Sequence, residues 1–539
     1  MDTRETKGQG AHPVHAPSSP WRPFRRSVFR SLWIATLVAN TGTWIYNAAS
    51  GWLMTSLNSD PLIVSLVQVA TSLPMFLFAM PAGALADVVD KRRFVLLIEI
   101  LMTISSASFA LILTLGAANA VTLLLFMFVI GTCNALETPA WQAIVPQLVP
   151  REELDSAVAA NSIGFNVSRA IGPALAGIII GSLGIASPFW FDAVSNVGVM
   201  GVLLWWRSSV KRSSALPAER FTLAIRTGFR YARYDQALRA TLLRAIAFFL
   251  FASAYWAVLP LLARQQIASG PELYGLLLTA IGVGAIGGAF ALPILKQKLG
   301  VDCLVAAGSL GTALALLPFG LSKTPALAIL ASLISGVAWI AGVATLNVSA
   351  QLALPDWVRG RGLAVYATVF FGTMALGSAL WGEVAALMGL PLTLFVSAIA
   401  AVLAIPLTWR CKLVSGTGPD LTPSMHWPAP VTTTGLETDA GPVMVTIEYK
   451  IDLKNRTAFL AALHKLESER KRDGAYAWGV YQDTAVPERF VETFFVESWL
   501  EHLRQHERVT NADRVLQDAV EQYDAKGQPL VTHFVAAET

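Results

Sequence analysis

Long apolar segments dominate this 539-residue chain and constrain its fold more than any other feature. Between residues 28 and 411, apolar runs follow one another with only short polar breaks. A helix needs about 20 apolar residues to cross the hydrocarbon core of a bilayer, which is about 30 Å thick. With 54% apolar and only 14% charged residues, the composition also lies outside the range of soluble proteins. The sequence therefore predicts an all-α membrane protein and excludes a soluble multidomain enzyme.

Twelve segments are predicted to be transmembrane helices. They are residues 28–55, 62–85, 94–116, 120–145, 155–182, 187–206, 239–262, 273–295, 302–320, 325–350, 360–387 and 390–409. The first is too long for the core of a signal peptide and is followed by no small-residue cleavage site, so we expect it to remain as a membrane span.

Basic residues are concentrated in alternate breaks between these segments. The breaks on the side of the N-terminus are rich in Lys and Arg, whereas the opposite breaks contain only Arg264 and Lys323. Positive charge marks the cytoplasmic side of membrane proteins. We therefore predict a multi-pass membrane protein with both termini in the cytoplasm.

The apolar region is an internal duplication. A shift of 205 positions aligns Pro150 with Pro355, Gly172 with Gly377 and Gly177 with Gly382. Such a shift of six helices predicts two six-helix halves of parallel topology. The predicted organisation is a disordered tail (1–27), a first bundle (28–206), an amphipathic linker on the inner leaflet (207–238), a second bundle (239–411), a flexible linker (412–442) and a small α+β domain (443–539).

The break after the second segment carries the sequence GALADVVDKRR. It resembles the signature of the major facilitator superfamily at Gly83, Asp87, Lys91, Arg92 and Arg93, and departs from it at Val88 and Asp90. A glycine permits close helix approach, an aspartate can face a helix N-terminus, and an arginine can lock the pair. The resemblance implies a gating loop; the alternative is a topology signal alone. Arg359 and Arg361 are the candidate residues of a second-half loop.

The fifth segment contains RAIGPALAG, which is similar to the Gly-Pro motif of facilitator exporters. The motif residues are Arg169, Gly172, Pro173 and Gly177, and ordinary small-residue packing is the alternative interpretation. The stretches Glu137–Gly177 and Asn347–Gly382 resemble the branch of enterobactin-exporter-like proteins and transmembrane secretion effectors. This resemblance implies proton-coupled export of a siderophore or a similar amphipathic molecule across the bacterial inner membrane, with drug-like efflux as a variant. An importer or a sensor on the same fold is a further alternative.

Ionisable residues inside predicted spans are costly and therefore functional candidates. They are Glu99, Glu137, Arg169, Asp192, Arg244 and Glu383, of which Glu137, Arg169 and Asp192 are the candidates for proton coupling. A Glu137–Arg169 pair would be either a proton-coupled site or a fixed brace. In the superfamily, helices 1, 4, 7 and 10 line the central cavity. The candidate cavity residues are Asn40, Trp44, Asn47, Asn134, Phe248, Tyr255 and Trp339.

The last hundred residues are polar and predict a separate domain. The order βαββαβ indicates a ferredoxin-like fold, and RDGAYAWGVYQD resembles the antibiotic-biosynthesis monooxygenase type of dimeric α+β barrel. The resemblance implies a homodimer through this domain. His502 and His506 have the spacing of metal ligands, but no third ligand is identifiable, so neither metal nor cofactor is predicted. The expected partners are a small molecule, protons and lipid, with no nucleic acid; a membrane-tethered enzyme that modifies the exported molecule is the competing hypothesis.

Overall fold

The computed structural model describes residues 21–206, 221–416, 418–424, 426–427, 440–525, 527 and 529–537, except for the side chains at 84, 86–88, 151 and 221–224. Most of the predicted disordered tail lies outside the described residues. The tail's last part is ordered, because Arg22–Arg25 form a 3₁₀ helix that precedes the first long helix.

The first half consists of six helices. They are α1 (Ser27–Leu57), α2 (Pro61–Val88), α3 (Lys91–Thr114), α4 (Ala120–Leu148), α5 (Leu154–Leu183) and α6 (Ser187–Trp205). Side-chain caps begin three of them: Asp60 and Asp90 accept hydrogen bonds from the first turns of α2 and α3, and Asn119 forms a capping box with Thr122 in α4. The helix starts therefore follow from local sequence.

The amphipathic linker helix α7 (Phe221–Tyr234) precedes the second half. The second half consists of α8 (Gln236–Leu261), α9 (Pro271–Leu321), α10 (Pro325–Leu352), α11 (Arg359–Met388) and α12 (Leu390–Thr408). The 51-residue α9 is interrupted at Gly300, whose φ of 75° is a left-handed conformation that favours glycine. Its two arms correspond to the predicted segments 273–295 and 302–320.

Ten of the described helices are long and apolar enough to cross a membrane, rather than the twelve predicted. Two physical reasons account for the difference. The two arms of α9, which meet at the kink at Gly300, count as one helix although they correspond to two predicted spans, and α1 is not among the ten. The polar residues Asn40, Thr41, Thr43 and Asn47 lower the hydropathy of α1, which is therefore not among these ten helices.

The C-terminal domain is a four-stranded antiparallel sheet covered by helices. Its elements are β1 (Val443–Lys450), α13 (Arg456–Arg472), β2 (Tyr476–Gln482), β3 (Arg489–Val496), α14 (Trp499–Arg508), α15 (Asn511–Glu521) and β4 (Leu530–Val535). The strand order β2-β3-β1-β4 is that of a ferredoxin-like sheet. The single helix predicted between the last two strands is in fact two helices, α14 and α15, because Thr510 starts α15 with its own capping box.

The domain lies at one end of the helix bundle, which we call the domain end; the opposite end is the far end. The linker helix α7 lies between them: Tyr231 is fully buried and donates a hydrogen bond to the Ala353 carbonyl, 3.2 Å away. We expected α7 on the lipid surface, but its buried face contacts protein. The segment before β1 is also partly fixed, since the Ser424 amide donates to the Val509 carbonyl at 2.9 Å.

Candidate functional site

Three carboxyl groups lie inside the first half of the bundle. Glu99 of α3 is buried and lies within hydrogen-bonding reach of Glu137 of α4. Asp192 of α6 is also buried, and its Oδ2 accepts a hydrogen bond of 2.5 Å from Ser106 of α3. Within the described part of the chain, no Lys or Arg side chain lies within 4.0 Å of these carboxyls. Since two adjacent carboxylates repel in a low dielectric, the Glu99–Glu137 pair is suited to sharing a proton.

Four buried polar atoms of these carboxyls and of neighbouring side chains have no hydrogen-bond partner in the described structure. They are Asp192 Oδ1, Glu99 Oε2, Asn196 Nδ2 and the Tyr46 hydroxyl. The Tyr46 hydroxyl lies close enough to Asp192 to interact electrostatically with its carboxyl group. The sequence predicted Glu99, Glu137 and Asp192 as separate candidates. The packing of α3 against α4 and α6 brings these three carboxyls together, and we call them the acidic cluster.

The predicted ion pair between Glu137 and Arg169 is not formed in this structure. Glu137 contacts Glu99 instead, and the Arg169 guanidinium carbon lies 5.6 Å from the centre of the Trp44 ring. Arg169 is also near Tyr255 of the second half. The partner of Arg169 depends on how α5 packs, so the sequence spacing alone could not decide it. Arg169 therefore faces candidate cavity residues from both halves.

The candidate cavity residues divide into two groups. Asn40, Trp44, Asn47 and Asn134 of the first half are half-buried, in keeping with a cavity wall. Phe248, Tyr255 and Trp339 are at most 5% exposed, and pack in an aromatic cluster. The Phe248 and Trp339 rings are 6.3 Å apart, and Trp256 lies 5.6 Å from Trp339. In this conformation the second-half candidates are packed rather than open.

The other ionisable candidates inside spans occupy different environments. Arg244 forms a 3.1 Å ion pair with Asp302 and lies over the Trp409 ring, an arrangement that ties α8 to α9 and α12. Glu383 is exposed on α11. Neither joins the acidic cluster.

The Gly-Pro motif of α5 forms a joint between the two halves. A Cβ atom at Gly177 would lie 2.8 Å from the Pro271 carbonyl oxygen and 3.0 Å from the Glu272 Cα of α9. A Cβ atom at Gly172 would lie 2.5 Å from the Trp44 Cβ of α1. Both contacts involve atoms that cannot rotate away, so glycine is required for this approach.

The duplicated motif of α11 makes the equivalent contacts. A Cβ atom at Gly382 would lie 3.2 Å from the Leu62 Cα of α2, and one at Gly377 would meet the Ser253 side chain of α8. The aligned pairs Gly177/Gly382 and Gly172/Gly377 thus join corresponding helices. This correspondence supports the two-half repeat predicted from the sequence.

The two halves are also joined by polar contacts at the far end. Arg264 donates a 3.1 Å hydrogen bond to Thr55 and contacts Ser56, while Gln265 bonds the Ser59 carbonyl at 3.2 Å. Arg264 lies over Trp52. The far end is consequently held closed between α1 and the turn after α8.

The basic loop between α2 and α3 makes a contact that the sequence did not predict. Arg92 donates hydrogen bonds to the Leu203 and Leu204 carbonyls at 2.6 and 3.0 Å, at the C-terminal end of α6. Cationic groups are favourable at this position because they satisfy free carbonyls and face the negative end of the helix dipole. The side chain of Asp87 lies outside the described residues. Gly83 has open space around it, and the Arg359 guanidinium pairs with Asp356.

Comparison with known proteins identifies the family of this chain. The transmembrane secretion effector family, which is of the major facilitator type, matches residues 18–539. The chain belongs to this family. Because the match extends through β4, the C-terminal domain is part of the region that matches the family.

Curated relatives of this secretion effector are transporters. It is 23% identical over 362 residues to the staphyloferrin A transporter of Staphylococcus aureus, covering 67% of this chain and 90% of the relative. It is 25% identical over 371 residues to the multidrug efflux pump Tap of Mycolicibacterium fortuitum, covering 67% and 89%. It is 25% identical over 367 residues to the enterobactin exporter EntS of Escherichia coli, covering 67% and 86%. The chain is therefore a membrane transporter and not an enzyme.

Solved structures support the same fold. The nucleoside transporter NupG has a TM-score of 0.60 at 12% identity, covering 71% of this chain and 100% of that one. A POT family transporter with a bound thioalcohol-conjugated peptide has a TM-score of 0.59 at 14% identity, covering 70% and 94%.

The C-terminal domain of this secretion effector contacts the domain end through α7. Arg230 of α7 pairs with the buried Glu501 of α14 at 3.3 Å, and Arg226 pairs with Glu497. Arg508 of α14 pairs with Glu501 at 2.6 Å and lies 4.6 Å from the centre of the Trp357 ring, in the loop before α11. These charges hold the pKa of the Glu501 carboxyl below its usual value although burial opposes this. The domain is thus attached to both α7 and the second half.

A second group of charges lies beside this contact. Arg472 pairs with Asp473 at 2.9 Å and with Asp513 at 2.8 Å, and also contacts Glu469. Burial raises the pKa of Glu469 to about 8; Arg472 opposes this shift, and the Asp513 and Asp473 carboxylates reinforce it. One arginine therefore serves more carboxylates than it can neutralise.

Proposed function

We propose that this transporter is a proton-coupled exporter of an amphipathic small molecule of the siderophore class in the bacterial inner membrane. The observation that carries the proposal is the acidic cluster. Carboxyls buried in a membrane span without a cation are functional-site candidates, since keeping them charged is costly, and proton relays are one of their known uses. Gain or loss of a proton by Glu99, Glu137 or Asp192 changes the charge between α3, α4 and α6, and so biases how these helices pack.

The proposed substrate path runs between the halves. Arg169 and Trp44 offer a cationic and an aromatic group on one side, and the second-half aromatic cluster contributes the Trp339 indole N–H, which has no acceptor among the described residues. A site of this kind suits a molecule with aromatic or carbonyl groups and acidic oxygens. The relatives named above, which carry siderophores and drugs, agree with that chemistry.

Orientation and direction follow in the same proposal. The basic loops of the domain end, with Arg92 and Arg361 among them, would lie in the cytoplasm together with the C-terminal domain. The closed far end would then face outward, which gives a conformation able to take up substrate from the cytoplasm. The proposed span count is twelve, with α1 and both arms of α9 crossing the bilayer.

Transport into inverted membrane vesicles tests this proposal. The probes are a tricatecholate siderophore, a citrate-based siderophore and a lipophilic cationic dye, each with and without a protonophore. We expect Asp192→Asn and Glu137→Gln to remove uptake driven by the proton gradient while substrate exchange without a gradient continues. Glu383→Gln, which changes an exposed carboxyl on α11, is the matched control. Uptake that ignores the protonophore, or that survives both substitutions, would exclude proton coupling.

A further inference from the structure

Three histidines of the C-terminal domain converge on one point. His502 and His506 lie one turn apart on α14, and His533 lies on the neighbouring strand β4. One ring nitrogen from each lies within 4.8 Å of the others. The Nε2 atoms of His502 and His506 are 3.3 Å apart, and the His502 and His533 rings are 4.6 Å apart. The third ligand that the sequence could not supply comes from the strand that follows α15.

The spacing fits a tetrahedral metal centre. Zinc–nitrogen bonds of about 2.0–2.1 Å place two nitrogens of a tetrahedron about 3.3 Å apart, which matches the separation of His502 and His506. Small rotations of the His533 ring would bring its nitrogen from within 4.8 Å to this distance. An all-imidazole set is typical of divalent ions such as Zn²⁺ and leaves one position for water or an external ligand.

The surroundings select the neutral, metal-binding form of these rings. His502 is 1% exposed and its ring lies 4.8 Å from the His506 ring and 4.6 Å from the His533 ring, an environment that disfavours a charged imidazolium. The His502 Nδ1 lies 3.3 Å from Gln505 Oε1. Donation from Nδ1 to this oxygen leaves Nε2 unprotonated, and such a partner is usual behind a metal-bound histidine.

Other side chains near the histidines complete the pocket without competing for a metal. Trp499 lies 5.3 Å from the His502 ring, and Trp427 lies 5.0 Å from the His506 ring. His426 contacts Ser424 through Nδ1 at 2.6 Å and Gln517 through Nε2 at 3.2 Å, so both of its nitrogens are engaged. Within the described residues, no carboxylate or cysteine belongs to the cluster.

We propose that His502, His506 and His533 form a binding site for a divalent transition-metal ion of the zinc type. The site joins α14 to β4, whereas Glu501 and Arg508 of the same helix hold α7 and Trp357. The alternative is a metal-free cluster in which neutral histidines bond one another.

Metal binding by the full-length protein in detergent distinguishes the two. The protein is prepared without a polyhistidine tag, stripped with a chelator and titrated with Co²⁺, whose visible absorption reports tetrahedral coordination; Zn²⁺ is then used as the competitor. We expect one Co²⁺ per chain, displaced by one Zn²⁺. His506→Gln and His533→Gln alter half-buried rings and should each weaken binding at least about tenfold. His464→Gln, an exposed histidine of α13 outside the cluster, is the control.

Gel filtration and circular dichroism establish that each variant is folded. Where His506→Gln unfolds, His533→Gln on the edge strand carries the test. A wild-type protein that binds no Co²⁺ would overturn the proposal. Binding of equal strength in the wild type and both cluster variants would overturn it as well, because the ion would then lie elsewhere.

Discussion

The joint between the halves predicts how a single methyl group would change the transport cycle. In Gly177→Ala, the new Cβ would lie 2.8 Å from the Pro271 carbonyl oxygen and 3.0 Å from the Glu272 Cα. Both atoms belong to the backbone of α9, so the overlap is relieved only if α5 and α9 separate. Overpacking of this kind costs about 1–3 kcal/mol. Since about 1.4 kcal/mol is a tenfold change in an equilibrium constant, the closed far end should lose about 5- to 150-fold in population relative to open states.

A matched control isolates the clash from the change in helix propensity. Gly287 lies in the interior of α9, and a Cβ atom there would have no other atom within 4 Å, so Gly287→Ala adds the same methyl group without overlap. Both substitutions favour the helix by roughly 0.5–1 kcal/mol. Only Gly177→Ala should open the far end.

Distances between spin labels across the far end measure the effect. Labels at Ala117→Cys and Lys323→Cys lie in exposed far-end loops of different halves, in a background where the native cysteines at 133, 303 and 411 are replaced. We expect a population at longer distance in Gly177→Ala and the unchanged distribution in Gly287→Ala. Identical distributions in the two variants would refute the argument that the glycine joint holds the far end closed.

Three further outcomes follow from the charged contacts. Arg92→Gln loses two hydrogen bonds to α6 and should lower the free energy of unfolding by about 1–3 kcal/mol, seen as a lower melting temperature than in Arg93→Gln, whose side chain is exposed. The Glu469 carboxyl contributes stability below its unfolded pKa that is lost as pH rises through about 8, so Glu469→Gln should reduce the fall in melting temperature between pH 6 and 9. Arg230→Ala should increase hydrogen exchange in α14, because one of the three arginines paired with Glu501 is removed.

Local sequence was sufficient to predict most of the helices. Capping residues such as Asp60 and Asn119 and the apolar runs act within a few residues, so they identify elements without knowledge of the fold. The internal repeat extended this reasoning to packing, because glycines aligned between the two halves, such as Gly177 and Gly382, were expected to contact corresponding helices. The form of the connection inside α9 was harder to predict, since its two arms are joined by a kink at the left-handed Gly300 where the sequence indicates a longer loop.

Partners that depend on helix packing could not be predicted from spacing. Glu137 was expected near Arg169, but the approach of α3 to α4 places it against Glu99. The same limit applies to Arg92, which binds the end of α6, and to His533, which reaches His502 only because β4 pairs with β1 beside α14. In each case the residue type indicated the kind of interaction, but the sequence did not predict which residue it contacts.

The symmetry of the glycine joints places a constraint on any movement of the halves. Gly177 joins the first half to α9, and its counterpart Gly382 joins the second half to α2. Both contacts are made near the far end, since Pro271 begins α9 and Leu62 lies in the first turn of α2. Separation of one pair without the other would require a half to bend internally, where Gly172 and Gly377 hold α5 to α1 and α11 to α8. Opening of the far end is therefore expected to release both joints together, as a rigid rotation of one half against the other.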